Sequence, residues 1–402
     1  MTLNVYSEIA TLKTVLLHRP GKELENLTPS ILRRLLFDDI PYLKIALEEH
    51  NTFASILRGQ GVEVLYLTDL VVESLQQNPE AIGPFIDRFI SDAHIQSKSV
   101  QTRLKEYLEQ KEIVDMVEEM IAGVRTTAFR VDKVSMMDFL QDEYPFYTDP
   151  MPNILFQRDP FATIGKGVSL NRMSTPARQR ETLFAHTIFK YHARFQDIPT
   201  PMYYHPHDPY ALEGGDVLVL SDEVIAIGIS KRTDPRAIER MAKRLFNSSE
   251  SFKTILAFNI PKSRAFMHLD TVFTQVDEGI FTVHKGILET LTVFEITWSE
   301  NHLSIRKERS TLQFILEKHL QTSITLIACG GDDVVSSERE QWNDGANTLA
   351  IAPGKVIVYS RNHETNALLR AAGIEVIEMP SSELSRGRGG PRCMSMPLIR
   401  NN

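Results

Sequence analysis

The chain has 402 residues, of which 42% are hydrophobic and 24% charged, the composition of an ordinary folded protein. Its net charge of −8 argues against a nucleic-acid binder, which would carry a basic face. Two cysteines build no disulfide framework, and no uncharged apolar run reaches the length of a membrane span. The first residues lack the basic and apolar regions of a signal peptide, so a reducing cytoplasmic setting is expected.

In chain order, Leu12–Leu17 reads as a strand ending at the turn His18-Arg-Pro-Gly21. Leu43, Leu47, Phe53, Ile56 and Leu57 follow helical spacing, Gly59 and Gly61 stop that helix, and Val62–Leu67 returns as a strand. Amphipathic helical patterns then cover Val71–Gln77, Pro84–Lys98, Val100–Glu109 and Ile113–Ala122. The prolines from Pro145 to Pro152 mark the end of this helical stretch.

From Asn153 onward one pattern recurs: two short strands joined by a turn, a helix, and a third strand. The hairpin turns fall at Gly165–Gly167, Ser221-Asp222, Asp277–Gly279 and Ala352–Gly354. Helices are predicted over Pro176–Tyr191, Asp234–Phe246, Ser310–His319 and Glu364–Ala372. Strands are predicted at Lys253–Ile260, Ser323–Ala328 and Ile374–Met379. With the N-terminal segment this makes five units with a period of roughly fifty residues, the mark of a repeat architecture. The expected fold is α/β, a five-bladed propeller of ββαβ units. Residues 1–70 and 149–402 form the catalytic propeller in this reading, and residues 71–148 an inserted helical domain.

Polar residues fall at one phase of the repeat: Asn153 and Asp159, Glu213 and Asp216, His268 and Asp270, Asn343 and Asp344. They converge on an axis if the units close into a ring. Burying so many acids is costly unless cations or hydrogen bonds compensate, and a cationic substrate would be one such compensation. Ser385–Pro397 carries Gly387, Gly389 and Gly390, a loop whose backbone can approach a ligand closely, and ends near Cys393. Arg386, Arg388 and Arg392 nearby are expected to favour the thiolate, the nucleophilic form. Cys393, His268 and a carboxylate form a candidate set of nucleophile, acid–base group and orienter. Cys329, in the apolar run Ile324–Cys329, reads as a buried inert thiol. His205-Pro-His207-Asp208 has metal-ligand residue types but fits a solvated turn better than a metal site. Glu213-Gly-Gly-Asp216 lacks the lysine and spacing of a phosphate loop.

Several motifs together carry a resemblance. Leu36-Phe-Asp-Asp-Ile-Pro41, Met151-Pro-Asn153, Gln157-Arg-Asp159, Glu213-Gly-Gly-Asp216, His268-Leu-Asp270, Arg339-Glu-Gln-Trp342 and Arg388–Pro397 resemble the arginine deiminase family over essentially the whole chain. That family belongs to the guanidine-modifying superfamily with the pentein fold, a five-fold α/β propeller. The resemblance implies hydrolysis of L-arginine to L-citrulline and ammonia, with no metal or organic cofactor and no nucleic-acid or membrane partner. It leaves a homo-oligomer open. It implies Cys393 as nucleophile, Asp159 and Asp270 as grips on the guanidinium, and His268 as acid and base oriented by Glu213. Asn153, Arg178, Arg232 and Arg388 match the family's clamp on the substrate carboxylate. Pro391-Arg392 before the cysteine departs from the Gly or His of some relatives. The alternatives are agmatine deiminase, dimethylarginine hydrolase, or a non-catalytic propeller that serves as a binding module.

Overall fold

The computed structural model describes the chain except residues 134–135, 137–138, 140–143, 198, 264, 289 and 402. Its named strands form five sheets that share one plan, an antiparallel pair followed by a parallel neighbour. The second sheet holds Phe161–Ile164, Gly167–Leu170 and Met202–Tyr204. The third holds Val217–Val219, Val224–Ile229 and Thr254–Asn259, the fourth Phe273–Asp277, Ile280–Val283 and Thr325–Ala328. The fifth holds Leu349–Ala352, Lys355–Tyr359 and Glu375–Met379. In the first sheet the leading strand comes from the far end of the chain: Met396–Asn401 pairs antiparallel with Thr11–Leu17, which runs parallel to Glu63–Tyr66.

A parallel step needs a crossover, and a helix lies in each of the five: Leu43–Gly59, Glu181–Tyr191, Pro235–Phe246, Leu312–Leu320 and His363–Ala371. The helix Pro235–Phe246 illustrates the local cause. Asp234 caps it by accepting from the Arg236 N–H, and Pro235 occupies its first turn. Ala237, Ile238, Met241, Ala242 and Leu245 make the buried stripe that faces the sheet. Neighbouring sheets, with the turns and helices that flank them, meet in chain order, and the fifth sheet meets the first. Arg400 ties that last junction: its Nη1 donates to the Ala10 carbonyl at 2.6 Å and its Nη2 to the Ala350 carbonyl at 2.8 Å.

Helices Leu67–Gln77, Ile82–Asp92, Lys98–Glu109 and Ile113–Ala122 fill the stretch the sequence reads as helical. Their apolar faces join one core with the second and third sheets, as where Phe85 meets Phe184 edge-on at 5.7 Å. No helix among the described residues is long and apolar enough to cross a membrane.

Several pieces differ from the sequence reading, among them the strand Met202–Tyr204, which it does not place. Thr292–Ser299 and His302–Lys307 form a hairpin that leaves the fourth unit and extends the third sheet to five strands. Its turn has Glu300 and Asn301 at φ +49° and +65°, a left-handed pair usually marked by Asn-Gly. Val334–Trp342 is a helix capped by Asp333. The C-terminal strand contains Pro397, which lowers strand character except at a sheet edge, where this strand lies.

Replacing Arg400 with Ala should lower unfolding stability by about 3 kcal/mol, since two charge-assisted bonds to buried carbonyls are lost. A urea titration checks this; a change below about 0.5 kcal/mol would mean the junction of first and fifth sheets does not need that side chain.

Candidate active site

Cys393 lies in the loop just before the C-terminal strand. Its N–H donates to Asn347 Oδ1 at 3.0 Å, and its carbonyl accepts from the Arg158 N–H at 3.0 Å. Its Sγ donates to Asp270 Oδ2 at 3.4 Å. His268 is the extended residue before the turn Leu269–Thr271. Its Nε2 donates to Glu213 Oε2 at 2.8 Å, and its Nδ1 is 3.8 Å from Asp159 Oδ1. Asp159, Glu213, His268, Asp270 and Cys393 are each 3% exposed or less, so the structure brings these five residues into one buried cluster.

Gly215 makes the closeness of Asp159 and His268 possible. A Cβ there would lie 2.7 Å from Asp159 Oδ1 and 2.8 Å from His268 Cγ. The glycine pair in Glu213-Gly-Gly-Asp216 thus serves backbone approach rather than phosphate binding. Asp216 supports the same site: it accepts from the Leu269 N–H at 2.8 Å and from Ser230 Oγ at 2.7 Å.

Each aspartate has one oxygen held and one without a partner. Arg178 Nη1 donates to Asp159 Oδ2 at 2.7 Å, and Arg392 Nη1 donates to Asp270 Oδ2 at 2.9 Å. Asp159 Oδ1 and Asp270 Oδ1 are buried without a hydrogen bond. The remaining donors of Arg178 go to Glu181 and to the Asn153 carbonyl. Arg232 is 3.7 Å from Glu213 Oε2, and its Nη1 has no hydrogen bond. Arg388 has φ +61° and stacks 3.6 Å above the Trp342 ring, which lines a cavity of about 520 Å³. Asn153 Nδ2 donates to the Leu35 carbonyl at 2.6 Å.

Charge decides the protonation states. Burial alone would lower the His268 pKa, but Asp159 and the bond to Glu213 outweigh it and hold it at about 9, so the ring is an imidazolium at neutral pH. Burial would raise Glu213, yet Arg232 and His268 hold it well below the usual carboxylate range. Cys393 moves opposite to the expectation from its arginine neighbours. Burial, then the charges of Asp270 and Asp159, push its thiol well above the ordinary value. The reason is that Arg392 is already committed: Nε and Nη2 each hold Glu8 at 2.9 Å, while Nη1 holds Asp270. Cys329 is buried at the end of its apolar strand, its thiol pushed to about 12 first by burial.

Two sets of three potential metal ligands occur among the described residues. They are Asp159–Glu213–His268 and Glu295–Glu308–His319. His205 and His207 belong to neither; Asp208 is taken by Arg240 and Arg244, and His207 meets Arg88. In the first set Arg178 and Arg232 already crowd Asp159 and Glu213, an arrangement suited to a group that brings its own N–H donors.

The backbone resembles a solved amidinotransferase from Microseira wollei, with TM-score 0.55, 16% identity, and coverage of 100% of this chain and 98% of that one. That likeness defines the fold. The sequence defines more: a model of the family described as arginine deiminase matches residues 33–400. An arginine deiminase of Borrelia duttonii is 53% identical over 100% of this chain and 98% of its own length. One of Clostridium perfringens is 54% identical over the same shares. The chain belongs to the arginine deiminase family.

Two outcomes check the site. Gly215→Ala should cut kcat by more than tenfold while leaving the far-ultraviolet circular dichroism unchanged, because the new methyl must part Asp159 from His268; undiminished kcat would show the approach is dispensable. The raised His268 pKa contributes stability that is fully present below pH 6.5 and lost as pH rises through about 9. Urea midpoints measured across that window should fall in the wild type and stay flatter in His268→Asn. Parallel slopes would assign the decline to another group.

Proposed function

We propose that the chain hydrolyses L-arginine to L-citrulline and ammonia through a covalent intermediate on Cys393. The observation that carries this reading is the pair of unpartnered buried oxygens, Asp159 Oδ1 and Asp270 Oδ1, beside the Cys393 thiol and the His268 imidazolium. A guanidinium would bring two edges of N–H donors to those oxygens and a positive charge to two acids. Its carbon would then sit where Sγ can attack.

Substrate charge also solves the problem of the thiol. A guanidinium beside Cys393 opposes the effect of Asp270 and Asp159, and the thiol gives its proton up to solvent as substrate settles. The thiolate forms an S–C bond to the guanidinium carbon. His268 gives its proton to the departing nitrogen, the C–N bond breaks, and ammonia leaves an amidino group on sulfur. His268, now neutral and still held by Glu213, takes a proton from water. The oxygen bonds to the same carbon, and as the C–S bond breaks the hydroxyl proton passes to the leaving sulfur, which releases citrulline and restores the thiol.

Arg232, Arg388, Arg178 and Asn153 are proposed to hold the α-carboxylate end. Arg232, with an uncommitted Nη1, is the direct candidate among them. Arg178 contributes its charge while its donors fix Asp159. The five sheets are proposed to close about one axis as a five-bladed propeller, with residues 71–148 as its helical insert; the meeting of fifth sheet and first supports closure. Two unpaired cysteines fit a reducing, cytoplasmic setting.

Citrulline release from arginine, agmatine and dimethylarginine tests the activity, with arginine expected as the preferred substrate. Arg232→Ala should lose one to two decades in kcat/KM for arginine and little for agmatine, which lacks the carboxylate, consistent with about 1.5–3 kcal/mol for a charge-assisted bond. Equal losses for both substrates would remove Arg232 from the carboxylate. Enzyme acid-quenched in turnover should carry an adduct of arginine minus ammonia on the peptide holding Cys393. Cys393→Ala should lose adduct and activity yet bind arginine, and Cys329→Ala should keep both; an adduct on Cys329 would defeat the assignment.

A further inference from the structure

The second set of ligands, Glu295, Glu308 and His319, lies on the outer hairpin and its adjoining helix, on residues for which the proposed reaction has no role. Glu295 is on the strand Thr292–Ser299. The Glu308 N–H bonds the Val293 carbonyl at 2.9 Å, which sets Glu308 across from a residue two before Glu295, on the same face. His319 comes from the last turn of the helix Leu312–Leu320. Its side chain is 8% exposed, and its Nε2 is buried without a hydrogen-bond partner. That nitrogen points between the two carboxylates, 3.6 Å from Glu295 Oε1 and 3.9 Å from Glu308 Oε1.

We infer that Glu295, Glu308 and His319 form a binding site for a divalent transition-metal ion of the zinc type, which pins the outer hairpin to the helix. Nitrogen and oxygen ligands about 2.0–2.1 Å from zinc stand about 3.3 Å from one another in a tetrahedron. The spacings from His319, 3.6 and 3.9 Å, need to contract by about 0.3 and 0.6 Å to reach that, and all three ligand atoms already lie within 4.8 Å of one another. Carboxylate oxygen and imidazole nitrogen are both ligand types that zinc takes, with a fourth position left to water. Without an ion, Lys318 holds that position: its Nζ is 2.7 Å from Glu308 Oε1 and 3.5 Å from Glu295 Oε2. An ammonium is no ligand, and Lys318 is 42% exposed, so it can swing out when the ion enters. Lysine and metal therefore compete for the same carboxylates.

That competition gives the test. Zinc uptake by the full chain is measured by equilibrium dialysis, so that any zinc bound at the catalytic cluster appears equally in wild type and variants. Wild type should hold one equivalent more than His319→Ala or Glu308→Gln, and that equivalent should raise the melting temperature, a rise that a chelator reverses. Lys318→Met should tighten the same equivalent, because the competing cation is gone. Equal zinc stoichiometry in wild type and both ligand variants would overturn the site. So would weaker zinc binding in Lys318→Met, which would leave the cluster as an ion-pair network alone.

Discussion

Arg392 is the constraint on which the site depends. It is fully buried, and its guanidinium binds Glu8 from the N-terminal segment, Asp270 from the fourth unit and the Val217 carbonyl from the third sheet. It also immediately precedes Cys393, so one side chain sets the proposed nucleophile against the acid proposed to receive the substrate. A buried ion pair is weak evidence of net stability, but removing one partner leaves an uncompensated charge at a cost of several kcal/mol. Glu8 and Arg392 are thereby locked together, and the closure of the chain's two ends becomes part of the active site rather than mere packing.

The same logic runs through the other aspartate. Arg178 holds Asp159 as Arg392 holds Asp270, each through Oδ2, and each leaves Oδ1 without a partner. The protein supplies enough positive charge to fold the acids into its interior and stops short of satisfying them. The remaining unmet hydrogen bonds are the binding energy offered to a cation with planar donors. Gly215 keeps that offer within reach of His268, because any larger residue would occupy the gap between imidazole and carboxylate.

Much of this was legible in the sequence, for a physical reason. The strands repeat, the polar residues recur at one phase before each unit's first strand, and the hydrophobic alternation reports that phase directly. Asp159, Glu213, His268 and Asp270 could therefore be expected to converge if the units closed into a ring, whereas Cys393 joined them through its glycine-rich loop and the family resemblance. The pairing of Arg392 with Glu8 could not, since the partners are separated by 384 residues and neither belongs to a periodic pattern. The outer hairpin was missed because Glu300-Asn301 adopts left-handed backbone without the glycine that announces such a turn. The C-terminal strand was hidden by Pro397 and by the glycine-rich loop before it, which reads as a free tail until its partner Thr11–Leu17 is known.

The cysteine shows why local charge in a sequence is a poor guide to ionisation. Three arginines within eight residues suggest a stabilised thiolate, yet in the fold Arg392 is consumed by Glu8 and Asp270, and Arg388 stacks on Trp342. What the thiol faces instead is carboxylate, which with burial pushes it well above its ordinary value and favours the protonated form. An anion paired with two nearby acids would be costly to maintain at rest and open to oxidation or stray electrophiles. In the proposed reaction, tying ionisation to the arrival of a guanidinium removes both liabilities. The acids proposed to hold the substrate would then also be the groups that keep the proposed nucleophile silent until the substrate is there.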